Sequence, residues 1–147
     1  MASQGMLQLF TAIDERSAAF LALGMATAAG RSVAVVTTSG TAVANLLPAA
    51  VEADRSCQPL LLLTADRPER LKNCGANQTV NQEQFLNPAC RWVGNIAPTG
   101  LHAASAADID RLALRGWRHA QGQAGQPPGP VHLNIPFEEP LPAALPD

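Results

Sequence analysis

The chain has 147 residues, 47% of them hydrophobic and only 15% charged, with a formal net charge of −2. That is enough for one hydrophobic core and excludes a disordered or solvating segment. No basic run, 4% aromatics and no tyrosine leave neither the electrostatic footprint nor the stacking platform of a nucleic-acid binder.

In chain order, Met1 to Met6 read as start or truncation residues outside the fold. Leu7 to Ile13 (LQLFTAI) has strand composition. Asp14 is placed to cap a helix from Glu15 to about Ala29, closed by Gly30. Apolar residues surround most of that helix (Ala18, Phe20, Leu21, Leu23, Met25, Ala28), which predicts burial on more than one side. Ser32 to Thr37 is a continuous apolar strand of the parallel-sheet kind. Thr38-Ser39-Gly40-Thr41 turns the chain into a second helix reaching about Asp54, with a kink or break expected at Pro48.

Leu60 to Thr64 (LLLLT) is a further buried strand. The polar stretch Asp66 to Gln84 lacks periodicity, and a loop of that length in a compact domain is usually functional. A weaker strand at Arg91 to Ile96, a helix at Ala104 to Gln121, a turn at Gly122 to Pro130 and a strand at Val131 to Ile135 follow. On that last strand Val131, Leu133 and Ile135 share one side. His132 falls opposite them, as a structural or solvated residue, and His102 and His119 match no site motif either. From residue 138 prolines interrupt the chain, as at the start of an interdomain linker.

Alternating strands and helices predict an α/β domain with a mainly parallel sheet and helices on both faces. Ligands in such sheets sit at the carboxyl ends of the strands. Asp14-Glu15, Ser39-Gly40-Thr41 and Asp66-Arg67-Pro68 all fall there. There is no G-x-G-x-x-G, P-loop or G-x-S-x-G motif to support a dinucleotide, a nucleoside triphosphate or a hydrolase elbow. Cys57, Cys74 and Cys90 are odd in number and widely spaced, so reduced thiols are expected rather than a zinc site. With no signal-peptide pattern and no apolar window of roughly 18 residues, a soluble cytoplasmic protein is expected. The low charge content, against roughly 25% in free-standing domains, predicts that other protein covers part of the surface.

Four segments together resemble a known family: Asp14-Glu15-Arg16; Thr38-Ser39-Gly40-Thr41-Ala42 with Asn45; Thr64-Ala65-Asp66-Arg67-Pro68; and Gly75-Ala76-Asn77-Gln78. With the ending from Val131 to Phe137 and Glu139-Pro140-Leu141, they are similar in order and spacing to the N-terminal, pyrimidine-binding domain of the 2-succinyl-5-enolpyruvyl-6-hydroxy-3-cyclohexene-1-carboxylate (SEPHCHC) synthases. These are thiamine-diphosphate enzymes of menaquinone and phylloquinone biosynthesis. DER and SGTA alone point only to the wider thiamine-diphosphate superfamily, whereas TADRP followed by GANQ is specific to the synthases.

The resemblance implies a pyrimidine-binding domain over residues 7–137. It also implies that the whole enzyme decarboxylates 2-oxoglutarate and adds a succinyl carbanion equivalent to isochorismate. Glu15 is then the glutamate that hydrogen-bonds the cofactor's aminopyrimidine and promotes its imino form. By spacing alone it is equally an acidic residue in a first helical turn, favoured by the dipole. Ser39, Gly40, Thr41 and Asn45 are implied to lie against the aminopyrimidine, where small residues let backbone come close to a flat ring. An ordinary strand-to-helix turn is the alternative. Arg67, Gln78 and Asn77 are implied to face the carboxylate substrates, since arginine presents a planar fork of donors. The competing role for Arg67 is a surface salt bridge to Asp66 or Glu69.

Relative to the family, a preceding strand and helix with a Ser-Arg pair are missing, and so is the Gly-Asp-Gly motif that holds the diphosphate and its Mg²⁺ or Mn²⁺. The chain is therefore expected to be a fragment, inactive alone, whose intact enzyme is a homodimer or homotetramer with its site shared between subunits. Two other readings stay open. One is a different thiamine-diphosphate enzyme, an acetohydroxyacid synthase or decarboxylase; the other is a non-catalytic α/β dimerisation module.

Overall fold

The computed structural model describes residues 7–96, 100–123 and 125–139. Its elements run α1 (Glu15–Ala29), β1 (Val33–Thr37), α2 (Thr41–Ala44), α3 (Leu47–Arg55), β2 (Leu60–Asp66), α4 (Gln82–Leu86), β3 (Trp92–Asn95), α5 (Ala106–Ala120) and β4 (Pro130–Pro136). The four strands form one all-parallel sheet in the order β1-β2-β4-β3. The expected α/β class is what the chain adopts.

The helix ends follow local chemistry. Asp14 caps α1 by accepting the Ser17 N–H at 2.8 Å, and Gly30 ends it in the left-handed region at φ 62°. The second predicted helix is two: the chain breaks at Asn45-Leu46, and Pro48 sits in the first turn of α3 rather than inside a longer helix. There its missing N–H costs nothing. Ser105 and Asp108 close a capping box at the start of α5.

Strand alternation sends the two faces of the sheet to two cores. On one face Val35, Leu60 and Leu62 pack against the alanines of α1 and α3, with Val43, Leu46 and Leu86. On the other, Val131 and Leu133 meet Ala120 and Leu112 of α5, with Leu61, Leu63 and Trp92. Gly116 brings α5 close to β4, where a Cβ would lie 3.1 Å from Leu133.

Two expectations need correction. Leu7 to Ile13 is not a strand: it pairs with nothing in the sheet, and Leu7, Leu9, Phe10 and Ile13 are exposed, Ile13 completely. Strand composition cannot act without a free ladder beside it. Helix α1 is buried on one side only, through the stripe Ala19, Ala22 and Ala26, while Phe20 and Leu21 stay exposed. The apolar circumference of α1 therefore has no cover among the described residues. Residues 1–6 and 140–147, including most of the proposed linker, lie outside the described residues.

Candidate functional site at the carboxyl ends of β2 and β4

Two polar residues interrupt each of two apolar strands at a spacing of two: Thr64 and Asp66 on β2, His132 and Asn134 on β4. Their parity puts all four on the same face of the sheet, and the parallel register sets Thr64 beside Asn134. All four are buried. Buried polar groups need partners, and Gln82, at the start of α4, supplies several.

The hydrogen bonds close almost completely. Gln82 Nε2 donates to Asn134 Oδ1 at 2.6 Å and to the Ala65 carbonyl at 2.8 Å, using both its hydrogens. Its Oε1 accepts the Gly40 N–H at 3.1 Å. Asn134 Nδ2 donates to Asp66 Oδ2 at 2.8 Å and to Glu83 Oε1 at 3.1 Å. Asp66 Oδ1 accepts the Arg67 N–H at 2.8 Å. Thr64 Oγ1 donates to Asn134 Oδ1 at 3.2 Å, so His132 Nε2, 2.7 Å away, carries the proton and donates to Thr64. That tautomer leaves His132 Nδ1 as an unpartnered lone pair rather than an orphaned N–H.

One cation balances the carboxylates. Lys72 Nζ lies 2.9 Å from Glu83, 3.2 Å from Asp66 and 3.5 Å from Glu69. Burial pulls the Lys72 ammonium down, but Glu83 and Asp66 outweigh it and hold the lysine above its ordinary range. Burial likewise raises the Glu83 carboxyl, and the hydrogen bond from Lys72 more than reverses this. His132 is pushed down to about 4 by burial, against the opposing pull of Glu83. A cavity of ≈ 420 Å³, lined by Glu69, Lys72, Asn73, Gly75 and Glu83 among others, opens beside this cluster.

The turn after β1 joins the same assembly. Gly40 has φ 81° and ψ −132°, a conformation that favours glycine, and a Cβ there would sit 2.8 Å from Gln78 Cγ. Gln78, itself left-handed at φ 60°, donates from Nε2 to the Ser39 carbonyl at 2.9 Å and to Thr38 Oγ1 at 3.3 Å. Ser39 Oγ donates in return to the Gln78 carbonyl at 3.1 Å. The structure therefore brings Ser39, Gly40 and Gln78 into direct contact, and joins them through Gln82 to the Asp66-Arg67 turn.

The other candidates are arranged around this centre. Thr41 and Asn45 are exposed, Asn77 is exposed, and Arg67 is half-buried. Arg67 enters no ion pair among the described residues, and Lys72 is the residue that pairs with Asp66 and Glu69. The salt-bridge alternative for Arg67 is thus not realised. Glu15 is half-buried in the first turn of α1, next to the capping Asp14. Helix α1 packs on the strand it feeds, so its first turn lies toward the carboxyl end of the sheet. The larger groove, ≈ 860 Å³ between α5 and β3, is lined by Trp92, Arg115, Arg118 and His119 and includes none of these residues. Among the described residues no group of three or more His, Cys, Asp or Glu side chains is placed to hold a metal ion. No described helix is long and apolar enough to cross a membrane.

Sequence reasoning passed over Gln82, Lys72, Glu83, Thr64 and Asn134, and set His132 aside. The available signal was the matched spacing of Thr64 with Asp66 and His132 with Asn134 in otherwise apolar strands.

The chain is 72% identical over 99% of its length to 2-succinyl-5-enolpyruvyl-6-hydroxy-3-cyclohexene-1-carboxylate synthase of Synechococcus sp. strain CC9605, and 72% identical over its full length to the synthase of Parasynechococcus marenigrum strain WH8102. It is 68% identical over 96% of its length to that of Prochlorococcus marinus strain MIT 9303. It spans 26%, 26% and 24% of these relatives, about a quarter of each. The family model described as "Thiamine pyrophosphate enzyme, N-terminal TPP binding domain" matches residues 1–85, more than half of the chain. The chain belongs to the thiamine pyrophosphate enzymes, within their N-terminal TPP binding domain family.

Proposed function

We propose that this chain is the pyrimidine-binding domain, residues 7–137, of a SEPHCHC synthase. The whole protein decarboxylates 2-oxoglutarate and adds the succinyl unit to isochorismate in menaquinone or phylloquinone biosynthesis. The observation that carries the proposal is the 72% identity, over nearly all of the chain, to synthases of that name. The contact between the Ser39-Gly40 turn and Gln78 supports it, because it joins the proposed cofactor segment to the proposed substrate segment.

The residues present fit one end of the cofactor. Space above Gly40 is filled by Gln78, so the aminopyrimidine would meet the exposed side chains of Thr41 and Asn45 and the carboxylate of Glu15. A hydroxyl, an amide and a carboxylate match a ring that both donates and accepts hydrogen bonds. Thiamine diphosphate supplies the electron sink for decarboxylation. Glu15 holds and exchanges a proton at the aminopyrimidine. Arg67, with its guanidinium free of acidic partners among the described residues, binds a substrate carboxylate, and Gln78 and Asn77 orient it. The diphosphate and its Mg²⁺ or Mn²⁺ are assigned to another domain, across a homodimer or homotetramer interface. The exposed Phe10, Ile13, Phe20 and Leu21 are apolar surface available for such an interface. The compartment proposed is the cytoplasm.

The test is a chimera in which this chain replaces the matching quarter of the Synechococcus sp. strain CC9605 synthase. With thiamine diphosphate and Mg²⁺, isochorismate-dependent consumption of 2-oxoglutarate is expected. A folded chimera that consumes pyruvate but not 2-oxoglutarate would favour an acetohydroxyacid synthase or decarboxylase instead.

A further inference from the structure

We infer that Gln82 is a positioning residue, a clamp that fixes the Ser39-Gly40-Thr41 turn against the ends of β2 and β4. The inference rests on the cofactor reading above, and assigns a role to a residue outside the four segments that carry the family resemblance. Gln82 is completely buried, and its amide spans three elements. Its Oε1 takes the Gly40 N–H at 3.1 Å. Its Nε2 holds the Ala65 carbonyl at 2.8 Å and Asn134 at 2.6 Å.

Glutamine suits this place. The Gly40 N–H needs an acceptor, while Asn134 Oδ1 and the Ala65 carbonyl need donors, and among side chains only a carboxamide offers two donor hydrogens and an acceptor from one group. Glutamate at 82 would keep the acceptor for Gly40 but set an oxygen against Asn134 Oδ1. Methionine would match the length and supply neither role.

The left-handed Gly40 gains little support from its own helix, since α2 has four residues and no side-chain cap. Gln78 packs on the turn from the solvent side and Gln82 holds it from within. Loss of Gln82 would leave a buried N–H without a partner and free the turn that presents Thr41 and Asn45.

The test measures amide exchange by NMR in this chain, for wild type, Gln82→Met and Thr64→Val. Thr64→Val breaks the deep end of the network, its 3.3 Å contact with Gln82 Nε2 included, but leaves the Gln82 Oε1 acceptor of the Gly40 N–H in place, and so controls for a general loss of stability. The clamp predicts exchange at Gly40 and Thr41 about tenfold faster in Gln82→Met than in Thr64→Val, at equal distance below each melting temperature. Equal exchange in the two variants overturns it. In the chimera, Gln82→Met should raise the thiamine diphosphate Kd about tenfold with a smaller fall in kcat. A Kd within twofold of wild type overturns the positioning role. A wild-type chimera that binds no thiamine diphosphate refutes the cofactor reading instead, and the exchange result still decides the clamp.

Discussion

His132 Nε2 lies 2.7 Å from Thr64 Oγ1, one diagonal step apart on neighbouring parallel strands, with both side chains fully buried. The neutral imidazole is favoured here, because among the described residues no group accepts a hydrogen bond from a protonated Nδ1. The burial that fixes the ring also lowers its pKa to about 4, from an ordinary 6.5.

The first prediction follows from that shift. Between pH 6.5 and 4 the unfolded chain takes up a proton at His132 that the folded chain refuses. This contribution to stability is complete above pH 6.5 and is lost as pH falls toward the folded value of about 4. Urea unfolding should show about 2 kcal/mol less stability at pH 5 than at pH 7.5 from this group alone. His132→Leu should remove that part of the pH dependence, so equal slopes for variant and wild type would contradict the assignment.

Lys72 provides the second prediction. It is the one cation within 4 Å of the fully buried Asp66 carboxylate among the described residues, and it also pairs with Glu83. Lys72→Met should cost about 3 kcal/mol, the low end for breaking a buried pair, because Asn134 and the Arg67 N–H still serve Asp66. Thermal unfolding measures it, and a loss below about 1 kcal/mol would show that the carboxylates are satisfied without the ammonium.

How much of this was legible beforehand can be judged residue by residue. The strands at 33–37 and 60–66 were readable as continuous apolar runs without helical period, and the strand at 130–136 by the alternation of Val131, Leu133 and Ile135. Leu7 to Ile13 was misread because composition reports compatibility with a ladder, not whether a ladder is free to receive it. Ser39, Gly40 and Gln78 could be grouped only through the family resemblance; their 39-residue separation leaves no local signal. Gln82 and Lys72 were missed because a glutamine or lysine in a polar loop looks solvated until the fold delivers it to the end of a buried strand.

The third prediction concerns the α5 side. Trp92 stacks on His119, with ring centroids 5.3 Å apart and planes 12° from parallel, and Arg115 lies 4.8 Å above the indole. A Cβ on Gly94 would collide with the Trp92 ring and lie 2.9 Å from Leu112 Cδ1. Gly94→Ala should therefore destabilise the chain by about 1–3 kcal/mol and shift the Trp92 emission as the stack is displaced. An unchanged melting temperature would contradict the packing.

The cysteines give the fourth. Cys57 and Cys74 are exposed, while burial pushes the Cys90 thiol up to about 12. A disulfide reagent at pH 8 should modify two thiols quickly and Cys90 on the order of 10³-fold more slowly. Three equal rates would mean that the α3 side of the sheet opens readily.

The most direct test of the central claim is exchange of the thiazolium C2 proton of thiamine diphosphate in the chimera, followed by NMR with Glu15 and with Glu15→Gln. If Glu15 is the carboxylate at the aminopyrimidine, the substitution should slow exchange by about 10²-fold or more while the cofactor stays bound. Exchange at the wild-type rate in the Glu15→Gln chimera would contradict that role and return Glu15 to being an acidic residue in the first turn of α1.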